Sequence, residues 1–323
     1  MNNQLSILIP MHGNVSPVMN HVEDDIFTQK GTIEEILLLG SKVPIASLLS
    51  LNKNNEPKIC LDLVHLHATR DHVVLMDPSL IQIRPDEELA LRASVLETLT
   101  HFLGADGEFF PHRWVFPARE FAELDTHTPS LVSGLNMDVW MPKDTVTQGV
   151  AKKWRQLQNE VQMIWHDHPV NEARLERGEL SINSIWLHGN GSVSDIAQHP
   201  LLANVNKILS NHPIGSALDA RIVPLSIDEL VPSSQTHHLA FAHILRANEW
   251  ELFWQKSIEA INQQLLSKIQ LLQYSQGQLY SHTLTSKDLE LGLFTKLFKK
   301  NLSKNQQSPA WIEYAKKLQW FPS

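Results

Sequence analysis

The sequence predicts an α/β fold, with a mixed or mostly parallel sheet flanked by helices and a smaller antiparallel subregion at 52–147. Three observations predict it. Short apolar runs of strand length, such as Leu5 to Ile9, Ser184 to Leu187 and Arg221 to Leu225, alternate with longer stretches whose apolar residues recur every three or four positions. Two β-type runs, Ile59 to His67 and His72 to Met76, are joined by only four residues, which is an antiparallel hairpin. No internal repeat, low-complexity tract or flexible linker interrupts the pattern, so residues 1–323 are expected to form a single domain.

Each element has a local reason. Leu5 to Ile9 is a first strand, stopped by Pro10 and Gly13. Ile33 to Leu51 reads as a helix in two pieces parted near Pro44, since proline breaks the backbone hydrogen-bond ladder. Arg84-Pro-Asp-Glu-Glu88 starts a helix, with proline in the first turn and carboxylates where the helix dipole favours them; Gly104 ends it. Arg113 to Phe116 is a short strand, and 117–148 is mainly irregular. Val150, Trp154, Leu157, Val161 and Ile164 form one apolar helical face, and that helix stops near His168 because Pro169 pushes its predecessor out of the α region. A short turn from Glu172 to Arg177, with Gly178 as its cap, leads to the strand Ser184 to Leu187 and a turn at Gly189-Asn190-Gly191. Leu239 to Leu245 and Gln278 to Leu284 are further strands, and Trp250 to Leu272 is the longest amphipathic helix. Thr285-Ser-Lys-Asp288 resembles a capping box before a last helix from Leu289 to Phe298.

Composition bounds the function. Apolar residues make up 42% of the chain and charged residues 19%, which suits a globular protein. A formal charge of −8 argues against general nucleic-acid binding, which draws its affinity from neutralising phosphates. No apolar run approaches the roughly 18 residues of a membrane span, and the N-terminus lacks the pattern of a signal peptide, so the cytoplasm is the expected location. Cys60 is the one cysteine, which excludes an internal disulfide and a multi-cysteine zinc site.

The candidate site is the stretch His166 to Gly191, where polar, shape-specific residues are densest. In a binding reading, Arg174 is an anion clamp, because its planar fork matches a carboxylate or phosphate. His168 and Asn171 add donors, Asn183 fixes the loop or the ligand, and His188 sits at a strand end, beside the crevice that open α/β sheets use for ligands. In a structural reading the same His-Pro-Val-Asn is a helix stop whose side chains cap backbone groups, and Asn183 bonds a neighbouring carbonyl. His166 with His168, and His65 with His67, have H-x-H spacing that can seed a zinc site, although two polar positions on an exposed face give the same pattern. Asp71-His72 lacks a nucleophile, and no Gly-x-Gly-x-x-Gly or P-loop pattern occurs. No catalytic residue is assigned.

The pattern His-Pro-Val-Asn-x-x-Arg, then Gly, then Asn-x-x-Trp-Leu-x-Gly-x-Gly, resembles a segment of archaeal-type cofactor-independent phosphoglycerate mutases, of the alkaline phosphatase superfamily. A bacterial group of RpfE-type regulatory proteins is closer. That likeness includes Asp62-Leu-Val-His-Leu-His67, Arg70-Asp-His-Val-Val-Leu75, Asp106-Gly107 with Trp114, Thr128-Pro129 and Ser286-Lys-Asp-Leu289. The resemblance implies an alkaline-phosphatase-like fold. In the mutases it also implies two divalent metal ions, such as Mn or Zn, held by aspartates and histidines at strand ends, and a phosphoserine intermediate. Here Met11-His12-Gly13 stands where such enzymes carry Asp-Gly-Met, no serine has the nucleophile context, and His237, His238 and His243 have no neighbouring aspartate.

The resulting expectation is a pseudoenzyme. It is a phosphoglycerate-mutase-like protein with a degenerate site free of metal and cofactor, binding a small phosphorylated or carboxylated metabolite, with a regulatory output. One alternative is an active metal-dependent mutase or related phosphotransferase. Another is a structural or partner-binding protein, in which Arg174→Ala changes stability and no metabolite affinity.

Overall fold

The computed structural model describes residues 3–8, 29–212, 214–226, 229, 236–241, 247–275 and 278–286. Contacts divide the chain into two compact units, one made of Met1–Asn20 with Ala203–Ser323 and the other of His21–Leu202, so the second is inserted into the first in sequence. The first unit opens with β1 (Gln4–Leu8), whose last four residues are buried.

The inserted unit begins with α1 (Ile33–Leu39), started by a capping box in which the Thr32 amide donates to Glu35 at 2.8 Å. Pro44 parts it from α2 (Ile45–Leu49), as the sequence predicts. Then follow β2 (Lys58–Val64), β3 (Leu66–Ala68), β4 (Val73–Leu75), α3 (Pro85–Leu103), β5 (Glu108–Phe110) and β6 (Arg113–Pro117). The stretch 117–148 holds only single helical turns, α4 (Pro129–Val132) and α5 (Met137–Trp140) among them. The unit closes with α6 (Val150–His166), α7 (Pro169–Glu176) and β7 (Ser184–Gly191).

Strands β5, β6, β2 and β7 lie in that order in an antiparallel sheet, while β3 and β4 form a separate hairpin. The expected hairpin is therefore β3–β4 alone, and β2 belongs to the larger sheet. Leu61, Trp114 and Leu187 join Leu91, Val95 and Leu99 of α3 and Trp154, Leu157 and Val161 of α6 in one buried apolar cluster. Side chains alternate along a strand, so Cys60 and Asp62 point away from Leu61; α2 packs against β2 and β7.

Two expectations for this unit are corrected. Gly189 to Gly191 is not a turn but the end of β7, where Gly191 pairs with Lys58 across a bulge. Since β7 lies in an antiparallel sheet, the crevice rule of open parallel sheets does not place a site at its end. The short turn begins at Pro169, with proline in the first turn, and not at Glu172.

The chain then returns to the first unit with β8 (Lys207–Leu209), α8 (Gly215–Leu218), β9 (Ile222–Val223), β10 (His237–Phe241), α9 (Ala247–Asn262), β11 (Lys268–Ser275) and β12 (Gln278–Leu284). The sheet order is β12-β11-β1-β10-β8-β9, parallel throughout except for the antiparallel edge strand β12. Helix α9 crosses from β10 to β11 over β1, and its Phe253, Trp254 and Ile261 bury with Leu5, Ile7 and Ile269.

The helix expected to reach Leu272 ends ten residues earlier, at Asn262, and Gln264 takes a left-handed φ of 59°. Ile269 and Leu272 satisfy a helical spacing, but Ile269 and Leu271 also satisfy a strand spacing, and parallel pairing with β1 decides between them. Met11, His12, His243 and the last expected helix lie outside the described residues. Among the described residues no helix is long and apolar enough to cross a membrane.

Candidate functional site

The His166–Gly191 stretch is held from both ends. Helix α6 stops at His166, and His168 caps α7 through its side chain, whose Nδ1 accepts from the Val170 amide at 3.2 Å. An accepting Nδ1 carries no proton, so His168 does not offer the expected donor at that atom. Burial lowers its pKa, in keeping with the neutral form.

The expected anion clamp is occupied. Arg174 is 1% exposed. Its Nε donates to Leu180 O at 2.7 Å, and its Nη1 donates to Gln82 O at 2.8 Å and to Glu87 Oε2 at 2.6 Å. Glu87 also accepts from the Arg84 amide, capping α3, and pairs with Arg84 and Arg177. Burial would raise the Glu87 carboxyl, but these donors outweigh it and hold it below its ordinary value. Arg174 thus ties α7 to α3 through Nε and Nη1, where the sequence suggested a ligand clamp.

Asn171 and Asn183 also hold the backbone. Asn171 Nδ2 donates to Trp165 O at 2.9 Å and Ile182 O at 2.8 Å, and its Oδ1 accepts from the Ile182 amide at 2.7 Å. Both of its N–H groups are used, which corrects the expectation that it donates to a ligand. Asn183 pairs with the amide and carbonyl of Leu66, at 2.8 and 2.9 Å, as a strand neighbour would. These two bonds fix the loop.

Part of the predicted set nevertheless shares a surface. His65, His166, Asn171 and Asn183 line a cavity of about 890 Å³ in the inserted unit. Its charged lining is Arg155 against Asp138, Asp167, Glu172 and Glu179, so the cavity does not favour a phosphate. His168, Arg174 and His188 do not line it.

His188 stands elsewhere, in a buried ionic cluster that the sequence reading missed. Asp62 of β2 lies opposite Arg113 of β6, which donates to both carboxylate oxygens through Nε and Nη2. His188 of β7 is fully buried, and its Nε2 sits 2.9 Å from Asp62 Oδ1, at ion-pair distance but without the alignment of a hydrogen bond. Burial alone would raise the Asp62 carboxyl; Arg113 and His188 outweigh it and hold it well below the usual carboxylate range. Burial also works against the Arg113 charge, and Asp62 more than restores it.

Arg113 Nη1 and His188 Nδ1 are buried without a hydrogen-bond partner. An orphaned buried polar group costs about 1–3 kcal/mol, so each calls for a partner, an ordered water or a ligand. Cys60, beside His188 in register, is buried and its thiol is pushed far above the ordinary range, so it is not a nucleophile. A signal for the cluster exists in the sequence: Asp62 is a lone carboxylate inside the apolar run Ile59 to Val64. Its partner is 51 residues away and has no local mark.

Among the described residues no group of three or more His, Cys, Asp and Glu side chains is placed to hold a metal ion. His237 and His238 lie on β10; His237 Nε2 contacts Ser6 Oγ at 2.7 Å, and His238 Nδ1 contacts Glu229 O at 2.9 Å. The described residues therefore do not assemble the ligand set of a two-ion centre.

Comparison with known proteins gives local similarity. No protein-family model matches the chain. It is 29% identical over 143 residues to a protein of Geobacter sulfurreducens described as "Probable 2,3-bisphosphoglycerate-independent phosphoglycerate mutase". The match covers 42% of this chain and spans about a third, 34%, of that relative's length. Among solved structures, the cofactor-independent phosphoglycerate mutase from Thermoplasma acidophilum aligns over 88% of this chain and 90% of its own, at 15% identity and a TM-score of 0.36. The PH0037 protein from Pyrococcus horikoshii aligns over 84% of this chain and 81% of its own, at 10% identity and a TM-score of 0.37. The chain is thus a mixed α/β protein with local sequence similarity to a cofactor-independent phosphoglycerate mutase.

Proposed function

We propose that this chain is a phosphoglycerate-mutase-like protein that binds a small phosphorylated or carboxylated metabolite at the Asp62–Arg113–His188 cluster. In this reading its output is regulatory. The observation that carries this reading is Arg113. Asp62 takes one edge of its guanidinium, while Nη1 is buried with no partner. An oxyanion that reaches Nη1 satisfies what the protein leaves unsatisfied there, and the bond is charge-assisted. Asp62 fixes the guanidinium in place, so little ordering is left for the ligand to impose. The local similarity to a mutase supports a phosphorylated three-carbon acid as the first ligand class to try.

Thermal-shift screening of phosphorylated and carboxylated three-carbon acids tests the proposal. A concentration-dependent rise in Tm with at least one of them, lost in Arg113→Lys, is expected, since a ligand selective for the folded state raises stability by mass action. No rise with any member of the panel counts against it.

The second reading is an active metal-dependent mutase, favoured by that same local similarity. A coupled phosphoglycerate mutase assay with manganese supplied separates the two: turnover supports the enzyme, and binding without turnover supports the regulatory protein.

A further inference from the structure

The β3–β4 hairpin carries a feature that the proposed function leaves unused. His65 and His67 flank Leu66 at the start of β3, with ring centroids 6.0 Å apart and planes tilted by 33°. Positions i and i+2 of an extended chain lie on one face. Two imidazoles that bind one ion at roughly 2.0–2.1 Å have their ring centroids about 5–6 Å apart, so the pair already stands near chelating distance.

Three further contacts make it more than two polar residues on an exposed face. His65 Nδ1 lies 2.9 Å from the carbonyl oxygen of Ser181. A carbonyl only accepts, so in the neutral ring the proton is on Nδ1 and the Nε2 lone pair is left for a ligand. A backbone carbonyl in this position is a common outer partner of metal-binding histidine, fixing both tautomer and ring orientation. The backbone between the two rings is held as well: Asn183 pairs with the Leu66 amide and carbonyl, and the Met76 amide donates to His65 O at 3.0 Å. His65 also lines the acid-rich cavity, where Asp138, Asp167 and Glu172 favour a cation.

We infer that His65 and His67 form a two-imidazole chelate for one divalent transition-metal ion, with solvent completing the coordination sphere. Copper(II) is the tighter probe and zinc the weaker one, following the general order of divalent affinities. This site is separate from the Asp62–Arg113–His188 cluster and does not depend on the function proposed for it.

The test uses the full chain, purified without a histidine tag or metal column, stripped with chelator, desalted and titrated with copper(II). Ion stoichiometry and the nitrogen splitting of the copper EPR signal are both read. The wild type is expected to bind one tightest equivalent with a two-nitrogen signature. The His65→Gln/His67→Gln double variant loses that equivalent, while the His166→Gln/His168→Gln double variant keeps it. His67 is exposed, so His67→Gln alone leaves the fold intact and weakens the tightest site at least tenfold. No saturable equivalent in the wild type overturns the inference, as does an unchanged affinity and signature in His67→Gln. Loss of the site through His166 and His168 overturns it as well.

Discussion

Arg174 and Arg113 are both guanidinium groups withdrawn from solvent and paired with a carboxylate in the inserted unit. They differ in what they are tied to. Arg174 uses Nε and Nη1 on two backbone carbonyls and Glu87, and joins α7 to α3. Arg113 spends Nε and Nη2 on Asp62 and keeps a buried Nη1 without a partner, and His188, on the other side of the cluster from strand β7, keeps a buried Nδ1 in the same condition. A guanidinium bonded to the backbone of two segments is a structural strut, whereas one that keeps a buried N–H group without a partner offers a ligand a charge-assisted bond whose desolvation cost the fold has already met.

The comparison breaks first under mutation of the strut. Arg174→Ala leaves the Leu180 and Gln82 carbonyls without their donor and empties a buried site, while Glu87 keeps Arg84 and Arg177, and is expected to cost about 3–5 kcal/mol in denaturant unfolding, with no change in metabolite affinity at a temperature where the variant is folded. Asn171→Ala removes the bonds to Trp165 O, Ile182 O and Ile182 N, and is expected to cost about 2–3 kcal/mol by the same measurement. A loss under 0.5 kcal/mol from either substitution would show that these residues do not hold the segment.

Acid distinguishes the cluster. The folded pKa of Asp62 is held below its unfolded value, so between the two the unfolded chain binds more protons. This contribution to stability is complete above the unfolded carboxylate pKa, near 3.9, and is lost as pH falls below it. Asp62→Asn therefore flattens the dependence of stability on pH in that acidic window, measured by denaturant midpoints from pH 5 downward. An equally steep curve in the variant would remove Asp62 as its source.

The smallest expected effect is at His168. Its folded pKa is lowered, so stability is lost as pH falls through the unfolded histidine value, near 6.5. Protonation removes the acceptor that caps α7, a loss of about 1 kcal/mol. His168→Asp keeps an accepting cap through this range and loses the pH dependence between 7 and 5. A variant that keeps it would place its origin in another histidine.

How much of this was legible follows from which interactions are local. Helices α3 and α6, the break at Pro44 and the stop at Pro169 depend on spacing and on proline chemistry within a few residues, and the structure has them where the sequence predicts them. The end of α9 was not legible, because Ile269, Leu271 and Leu272 fit both periods until β1 pairs with them. The sheet to which β7 belongs was hidden for the same reason, since its neighbour β2 is far away in sequence. In the candidate segment the polar residues were correctly seen as special, but a capping histidine, a backbone-clamping asparagine and a ligand-holding residue look alike in one dimension. Of the predicted set, only His188 stands in the ionic cluster; Asp62 and Arg113, its partners, meet through strand register alone.

The most direct test of the account is calorimetric titration of phosphoglycerate into chelator-treated wild type, Arg113→Lys and Arg174→Lys. Lysine keeps the charge and lacks the second edge of the fork. The account predicts saturable binding to the wild type, weakened at least tenfold in Arg113→Lys and unchanged in folded Arg174→Lys. Affinity lost in Arg174→Lys and kept in Arg113→Lys would contradict it, and would return the anion site to the segment where the sequence first placed it.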